Sequence, residues 1–363
     1  MTMPRNVRTT TPLPILVQPI FDPKPWGSRR LGALCGDLPE GLIGEALLTA
    51  PEAVARSGPE AGQTLGDLAA TAPHHWCGER GLRATHGRAI FPLLAKLIDA
   101  TDTLSVQVHP DDAMAAARGL GTGKTEAWHM LDAAPGAVVY AGLRDGVDVA
   151  EFRAACLRVD EVAGYLNAVP AHAGMTVIIP AGTVHAIGGG VLLYEIQQPS
   201  NVTFRLNDWG RRDAAGVPRT LHHEDGFVAL HAASAPRPVP PLRLTDDRVV
   251  LAATEPFALE QVVAPLGRAL TLPAVASPQV LTVLEGVIEV ALRGVGGAVV
   301  ASTGQTLIVP AAALATLVAG RRATLLRGWA PDLEADIVRP ARDAGISRAE
   351  LADMALVDAA ALA

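Results

Sequence analysis

Four side chains in this chain have the types and spacing that could hold a divalent metal ion. In Leu104-Ser-Val-Gln-Val-His-Pro110 apolar and polar residues alternate, which is the pattern of a strand. Alternate side chains of a strand share a face. Ser105, Gln107 and His109 therefore point one way, and Leu104, Val106 and Val108 the other. Pro180-Ala-Gly-Thr-Val-His185 brings a second histidine after a Pro-x-Gly turn, and Gly123-Lys-Thr-Glu126 between them offers a carboxylate. Two imidazoles, a carboxylate and an amide oxygen suit a borderline divalent ion such as zinc. This donor set carries one negative charge, so a bound divalent ion would keep net positive character and could act as a Lewis acid.

The elements that must position these residues read as mostly short strands. Period-2 alternation recurs at Leu104–His109, Thr176–Ile179, Val191–Ile196, Val202–Leu206 and Gln279–Leu284, punctuated by Gly and Pro, which suggests a sandwich or barrel. Helical pattern is stronger in three places. These are about Thr49 to Ala100, Val149–Ala168 (with Phe152, Cys156 and Val159 at helical spacing), and the tail Ser347–Leu362, where Ser347-x-x-Glu350 reads as a capping box. Pro236-Arg-Pro-Val-Pro-Pro241 reads as a stiff extended connector between a larger N-terminal part and a smaller C-terminal part. One repeat spans that connector. Gly174-x5-Pro180-x-Gly182-x-x-His185 is echoed by Gly304-x5-Pro310-x-Ala312-x-x-Ala315, so the second copy lacks the histidine. Val283–Val290, with Gly286 at its centre, has the form of a turn joining two strands ahead of that second copy.

The whole chain narrows the function classes. Its 363 residues, 49% apolar and 18% charged, fit a folded protein of two or three domains. A net charge of −7 lacks the basic footprint of a nucleic-acid binder. Cys35, Cys77 and Cys156 are few and scattered, which implies neither a disulfide framework nor a cysteine metal site. No apolar run reaches the ~20 residues that span a bilayer. The polar N-terminus, with Arg5 and Arg8, has no apolar segment after it, so a cytoplasmic enzyme without nucleic-acid or membrane partners is expected. The oligomeric state is not legible.

Gly174-x5-Pro-x-Gly-x-x-His185 has the form of the second cupin motif, and the set as a whole resembles type I mannose-6-phosphate isomerases. The resemblance is carried by Lys24-Pro-Trp-Gly27, Leu104–Asp112, Gly123-Lys-Thr-Glu-Ala-Trp128, Ile179–Gly188, and Glu195-Ile-Gln-Gln198 running on to Arg205. It implies a mostly β protein of two cupin-like β-barrels of jelly-roll type with a helical insertion (about 50–100) in the N-terminal half. Residues 1–235 would form the metal-binding catalytic domain, 242–340 a degenerate second cupin, and 341–363 a helical tail. It also implies a Zn2+ site of Gln107, His109, Glu126 and His185, and interconversion of mannose 6-phosphate and fructose 6-phosphate through an enediol or enediolate.

By the same resemblance, Lys124 and Arg205 are the catalytic candidates. Lys124 could stabilise the enediolate or shuttle protons, and Arg205 could bind phosphate in fork geometry or stabilise the enediolate. Lys96, Asn201 and Glu195 are the substrate-binding candidates. Asp111 and Asp112 are expected to cap a helix, and His129, His172, His222 and His223 are unassigned.

The chain departs from the family pattern at three places. Leu47 of Gly44-Glu-Ala-Leu47 stands where the family has Trp, His129 where it favours Tyr, and Asn201 where Asp often precedes the Thr-x-Arg segment. Asn cannot act as a carboxylate acid or base. Two rival readings use the same residues: an Fe(II) cupin oxygenase, and a sugar-phosphate-binding protein without turnover.

Overall fold

The computed structural model describes residues 13–158, 162–213, 215–347 and 350–351. The N-terminal half is built from two antiparallel sheets facing each other. One has seven strands in the order Pro238–Val239, Thr176–Ile179, Glu126–Ala133, Val191–Gln197, Leu94–Ala100, Ile43–Leu47 and Ile20–Ser28. The other has five: Phe204–Asn207, Val106–Val108, His185–Ile187, Val138–Leu143 and Leu166–Pro170. Ile98, Trp128, Met130 and Leu193 of the first sheet pack against Val139, Ala141, Val169 and Ile187 of the second to fill the space between them. Burial of such apolar area, at roughly 25 cal/mol per Å², is the term that holds two sheets face to face.

The C-terminal half repeats the plan. A seven-stranded sheet (Ile15–Val17, Thr306–Val309, Gln279–Glu285, Ala323–Trp329, Ala258–Ala264, Arg248–Ala253, Leu242–Thr245) faces a four-stranded one (Leu270–Leu272, Ala315–Ala319, Val287–Leu292, Ala298–Ser302). Leu281, Val283, Leu307 and Leu325 meet Ile288, Val290, Leu317 and Ala319 inside it. The outer faces of the two seven-stranded sheets share a single core, in which Leu97, Tyr194 and Ile196 join Val280, Ile308 and Leu326. Ile15–Val17, from the start of the described chain, pairs with Thr306–Val309 and so ties the two halves together.

The architecture is mostly β, with four open sheets; among the described residues none closes into a barrel. The helical region is shorter than the pattern predicts. Helices cover Leu65–Thr71, Pro73–Trp76 and Gly78–Ala84, but Leu94–Ala100 is a strand. All seven of its residues are buried, and it pairs on both sides, with Ile43–Leu47 and Val191–Gln197. Its charges, Lys96 and Asp99, lie three apart in an otherwise apolar segment, a spacing that a helix also shows, and pairing decided the element. Similarly, Val149–Cys156 is helical, whereas Leu166–Pro170 of the same predicted helix is a strand. Val159 lies outside the described residues, as does nearly all of the predicted C-terminal helix. Its capping box is present: Ser347 Oγ accepts from the Glu350 backbone N–H at 3.2 Å, and Glu350 accepts from the Ser347 N–H at 2.8 Å. Asp111 caps the helix Asp112–Ala117, accepting from Met114 N–H at 2.7 Å. No helix of the described chain is long and apolar enough to cross a membrane.

The proline-rich connector runs extended, and Pro238–Val239 adds an edge strand beside Thr176–Ile179. The turn glycine of the repeated motif is a positional requirement. Gly182 has φ +84°, and a Cβ there would fall 2.3 Å from the His231 ring. In the second copy Ala312 keeps the same left-handed turn, at φ +60°.

Candidate metal centre and substrate cavity

The two histidines and the glutamate come from three different strand ends. Gln107 lies on Val106–Val108 directly opposite His185, His109 follows that strand, and Glu126 opens a strand of the facing sheet. Gly123 permits the approach of the loop that carries Lys124 and Glu126, since a Cβ there would lie 2.6 Å from the Asp112 backbone nitrogen.

Both imidazoles are fixed by backbone carbonyls. His109 Nδ1 donates to Val202 C=O at 2.8 Å, and His185 Nδ1 donates to Thr183 C=O at 2.9 Å. With Nδ1 protonated, each ring presents the lone pair of Nε2, and such a carbonyl partner is the usual support of a metal-binding histidine. Both Nε2 atoms face Glu126, at 3.4 Å from Oε2 (His109) and 3.4 Å from Oε1 (His185). The ligand atoms of these three residues lie within 4.8 Å of one another. The Gln107 side-chain amide is 3.1 Å from His185 Nε2 and can turn its oxygen to the same point.

Electrostatics keeps this set in its metal-binding form. Burial, reinforced by the Lys124 ammonium, pulls His109 down to about 3 against the opposing effect of Glu126. Burial likewise lowers His185. Burial pushes the Glu126 carboxyl up, but Lys124 and the two imidazoles outweigh it and hold it well below the usual range. Glu126 is fully buried and neither oxygen accepts a well-directed hydrogen bond; Oε2 has Lys124 Nζ at 2.8 Å as its ion-pair partner, and Oε1 has His185 Nε2 at 3.4 Å. A buried carboxylate oxygen without a donor is costly, and a cation at the point shared with the imidazoles would remove that cost. The residues present therefore fit a divalent metal ion.

Beside the centre lies a cavity of about 310 Å³ between the two sheets. Six of the residues singled out in the sequence line it: Lys96, Gln107, Lys124, Glu195, Asn201 and Arg205. His109, Glu126 and His185 form the centre at its wall, and Lys124 belongs to both, with Nζ 3.0 Å from His109 Nε2. Arg205 is the cross-strand neighbour of Gln107. Lys96 Nζ pairs with Glu195 Oε1 at 3.0 Å, and Trp128 Nε1–H donates to Glu195 Oε2 at 3.1 Å. Burial would lower Lys96, but Glu195 and Glu45 outweigh it and hold it above its ordinary value, so it is a cation.

Of the departures from the family pattern, Leu47 and Asn201 face the cavity. His129 sits on the strand Glu126–Ala133 between inward-facing Trp128 and Met130, so it points to the other side, where Nδ1 is 2.9 Å from Thr176 Oγ1. The cavity also contains residues to which the sequence reading gave no role: Asp22, Lys24, Glu45 and Arg219. Lys24 and Glu45 lie in segments that carried the resemblance or its departures; Arg219 had no signal at all.

A buried two-histidine, one-carboxylate group beside a cavity lined by charged side chains of both signs is an arrangement that could hold a metal ion next to a small polar ligand. No family profile matches the chain. A mannose-6-phosphate isomerase of Streptococcus mutans is 35% identical over 222 residues, which is 60% of this chain and 67% of that protein. One of Bacillus subtilis is 33% identical over 228 residues, covering 61% and 70%. The crystal structure of the Bacillus subtilis mannose 6-phosphate isomerase superposes with a TM-score of 0.75 at 25% identity, over 87% of this chain and 99% of that one. A Salmonella typhimurium phosphomannose isomerase shares the fold alone, with a TM-score of 0.67 at 14% identity. The chain belongs to the mannose-6-phosphate isomerase family of enzymes.

Proposed function

We propose that this protein interconverts mannose 6-phosphate and fructose 6-phosphate, with Zn2+ held by His109, Glu126, His185 and Gln107. The observation that carries the proposal is the convergence of His109, His185 and Glu126, whose ligand atoms lie within 4.8 Å of one another and whose carboxylate oxygens accept no hydrogen bond, beside a cavity lined by five cationic side chains. The N2O donor set with an amide oxygen favours zinc among the divalent ions. When bound, zinc supplies Lewis-acid stabilisation of negative charge on substrate oxygen.

The remaining chemistry belongs to the chain. Isomerisation moves a proton between C1 and C2 of the sugar through an enediolate, and negative charge develops on O1 and O2. Lys124 and Arg205 place fixed positive charge at the cavity wall beside the metal donors, which lowers the barrier to a developing oxyanion in a site screened from water. Lys96, Glu195 and Asn201 offer donors and acceptors for sugar hydroxyls, with the Lys96–Glu195 pair braced by Trp128. Asn201 orients substrate or water and does not titrate. The two facing-sheet halves are read as two cupin units, residues 1–235 carrying the chemistry and 242–340 degenerate. Its sugar-phosphate substrates are metabolites of the cytoplasm, where we place it. The five cations of the cavity favour a phosphorylated substrate over the neutral or apolar substrate of an oxygenase.

The test is a coupled assay for fructose 6-phosphate formed from mannose 6-phosphate, with chelator and zinc add-back. Turnover lost to chelator and restored by zinc is expected. Absence of turnover in protein holding stoichiometric zinc would overturn the proposal.

A further inference from the structure

The cations that line the cavity are not equivalent. Lys24 is matched by Asp22 at 2.7 Å, Lys96 by Glu195 at 3.0 Å and Lys124 by Glu126 at 2.8 Å. Arg205 is not matched. Among the described residues no carboxylate lies within ion-pair distance of it; Nη1 donates to the Thr220 carbonyl at 3.0 Å, and Nε is buried without an acceptor. Next to it on the cavity wall is Arg219, whose Nε donates to Asp208 Oδ2 at 2.7 Å and whose Nη2 donates to Oδ1. Asp208 is shared: Arg211 Nη2 also donates to Oδ1, at 2.7 Å, and Nη1 of Arg211 donates to the Thr103 carbonyl at 2.6 Å with the exposed Asp102 carboxylate 3.7 Å away. Three guanidinium groups thus face one buried and one exposed carboxylate. The surplus positive charge is felt within the cluster, where burial first and then Arg219 depress the pKa of Arg205, against the opposing pull of Asp208.

We propose that Arg219, held by the Asp208 carboxylate that Arg211 also grips, is the residue that binds the phosphate group of the substrate, with Arg205 standing between it and the metal donors. The proposal rests on the sugar-phosphate reading above and names the subsite within it. The chemistry fits: a guanidinium fork with one edge fixed by a carboxylate leaves its other edge aimed at an anion, and bidentate Arg–phosphate contacts supply both energy and orientation. The Arg219 side chain is 39% exposed, so an entering phosphate can reach it. The sugar would then extend from Arg219 past Arg205 toward Gln107, the cross-strand partner of Arg205. Because the phosphate carries the same charge in substrate and transition state, this contact is made alike in both and should act on substrate binding more than on the chemical step.

The experiment uses zinc-loaded full-length protein and the variants Arg219→Gln and Arg219→Lys, with Arg118→Gln, a surface arginine paired with Asp225, as a control for folding and net charge. Two readouts are taken: inorganic phosphate binding by calorimetry, which needs no turnover, and KM and kcat for mannose 6-phosphate. Arg219→Gln is expected to weaken phosphate binding and raise KM, each by tenfold or more, with kcat changed less than threefold and zinc content unchanged. Arg219→Lys, which keeps the charge and Asp208 but loses the fork, should fall between. Phosphate affinity and KM equal to wild type in Arg219→Gln would overturn the subsite. Wild-type protein that binds phosphate through Arg219 but does not turn over mannose 6-phosphate would overturn the isomerase reading and leave the subsite standing.

Discussion

Lys124→Met tests what the ammonium in front of the metal donors does. Lys124 Nζ lies 2.8 Å from Glu126 Oε2 and 3.0 Å from His109 Nε2, and neither Lys124 nor Glu126 is more than 4% exposed. At 2.8 Å and an effective dielectric constant of ~20, the gross Coulomb attraction is about 6 kcal/mol before desolvation is counted. Removing one partner of such a buried pair leaves the other uncompensated, at a typical cost of ~3–5 kcal/mol. The chelated variant should lose that much stability in urea unfolding. Zinc should then return most of it, because the ion neutralises Glu126 directly. A zinc increment ~3 kcal/mol larger in the variant than in wild type corresponds to zinc binding about 100-fold tighter. Urea unfolding of chelated and zinc-loaded proteins, with zinc affinity from chelator competition, measures both quantities. A chelated variant as stable as wild type would show that Lys124 is not the counter-charge of Glu126. An equal zinc increment in the two proteins would show that ammonium and metal do not compete for one carboxylate, and either result would refute the reasoning.

Three further outcomes are expected. His109→Ala and His185→Ala should each lose bound zinc and turnover together, read by metal analysis of purified protein; full occupancy in either removes that residue from the ligand set. Asn201→Asp should preserve or raise isomerase activity, since Asn201 faces the cavity and the acid only adds proton-transfer capacity there; a large loss of kcat would mean the site is organised around the amide. Burial lowers His129 from 6.5 to about 4 in the folded protein. The unfolded chain therefore takes up a proton that the folded one refuses. This contribution is complete above pH 6.5 and is lost as the pH falls toward 4, at ~1.4 kcal/mol per pH unit and ~3 kcal/mol in all. Urea midpoints at pH 7 and 4.5 should differ less in His129→Leu than in wild type, and equal differences would refute the assignment.

The candidate metal donors were legible as a group because each sits in a local pattern with a single structural meaning. Strand alternation puts Gln107 and His109 on one face, and a Pro-x-Gly turn delivers His185 opposite Gln107. The cavity wall was less so. Lys96 and Glu195 become partners only because Leu94–Ala100 pairs with Val191–Gln197, and the first of these strands shows no period-2 alternation to mark it as one. Arg219 was invisible for a different reason. It belongs to the loop after Phe204–Asn207, and its position is set by the shared grip of Arg211 and Arg219 on Asp208, a tertiary contact with no periodic signature.

The repeat in the C-terminal half shows how the two copies differ in the groups they offer a metal ion. Glu126 pairs with Ile179, and the equivalent partner of Val309 is Gln279. Trp128, Glu195 and Lys96 stand in one register row, and Leu281, Arg327 and Glu260 form the matching row. The ion pair across that row is thus kept with its charges exchanged, Lys96–Glu195 in one half and Glu260–Arg327, at 2.9 Å, in the other. The exchange changes what the site can do. Fully buried Arg327 donates to Gln279 Oε1 at 2.7 Å and to Glu260, and its guanidinium lies 4.1 Å over the Trp329 ring. Asp336, bound to Trp329 Nε1 and to Arg80, completes the cluster. With Ala315 where His185 stands, the second copy has no imidazole donor at that position, and its amide oxygen and carboxylate are already committed to guanidinium groups. The first copy leaves both Glu126 oxygens without a hydrogen-bond donor in a fully buried place, with two imidazole Nε2 atoms 3.4 Å away. A buried carboxylate that lacks a hydrogen-bond donor, in the copy that also keeps its histidines, is the feature on which the proposed cation site rests.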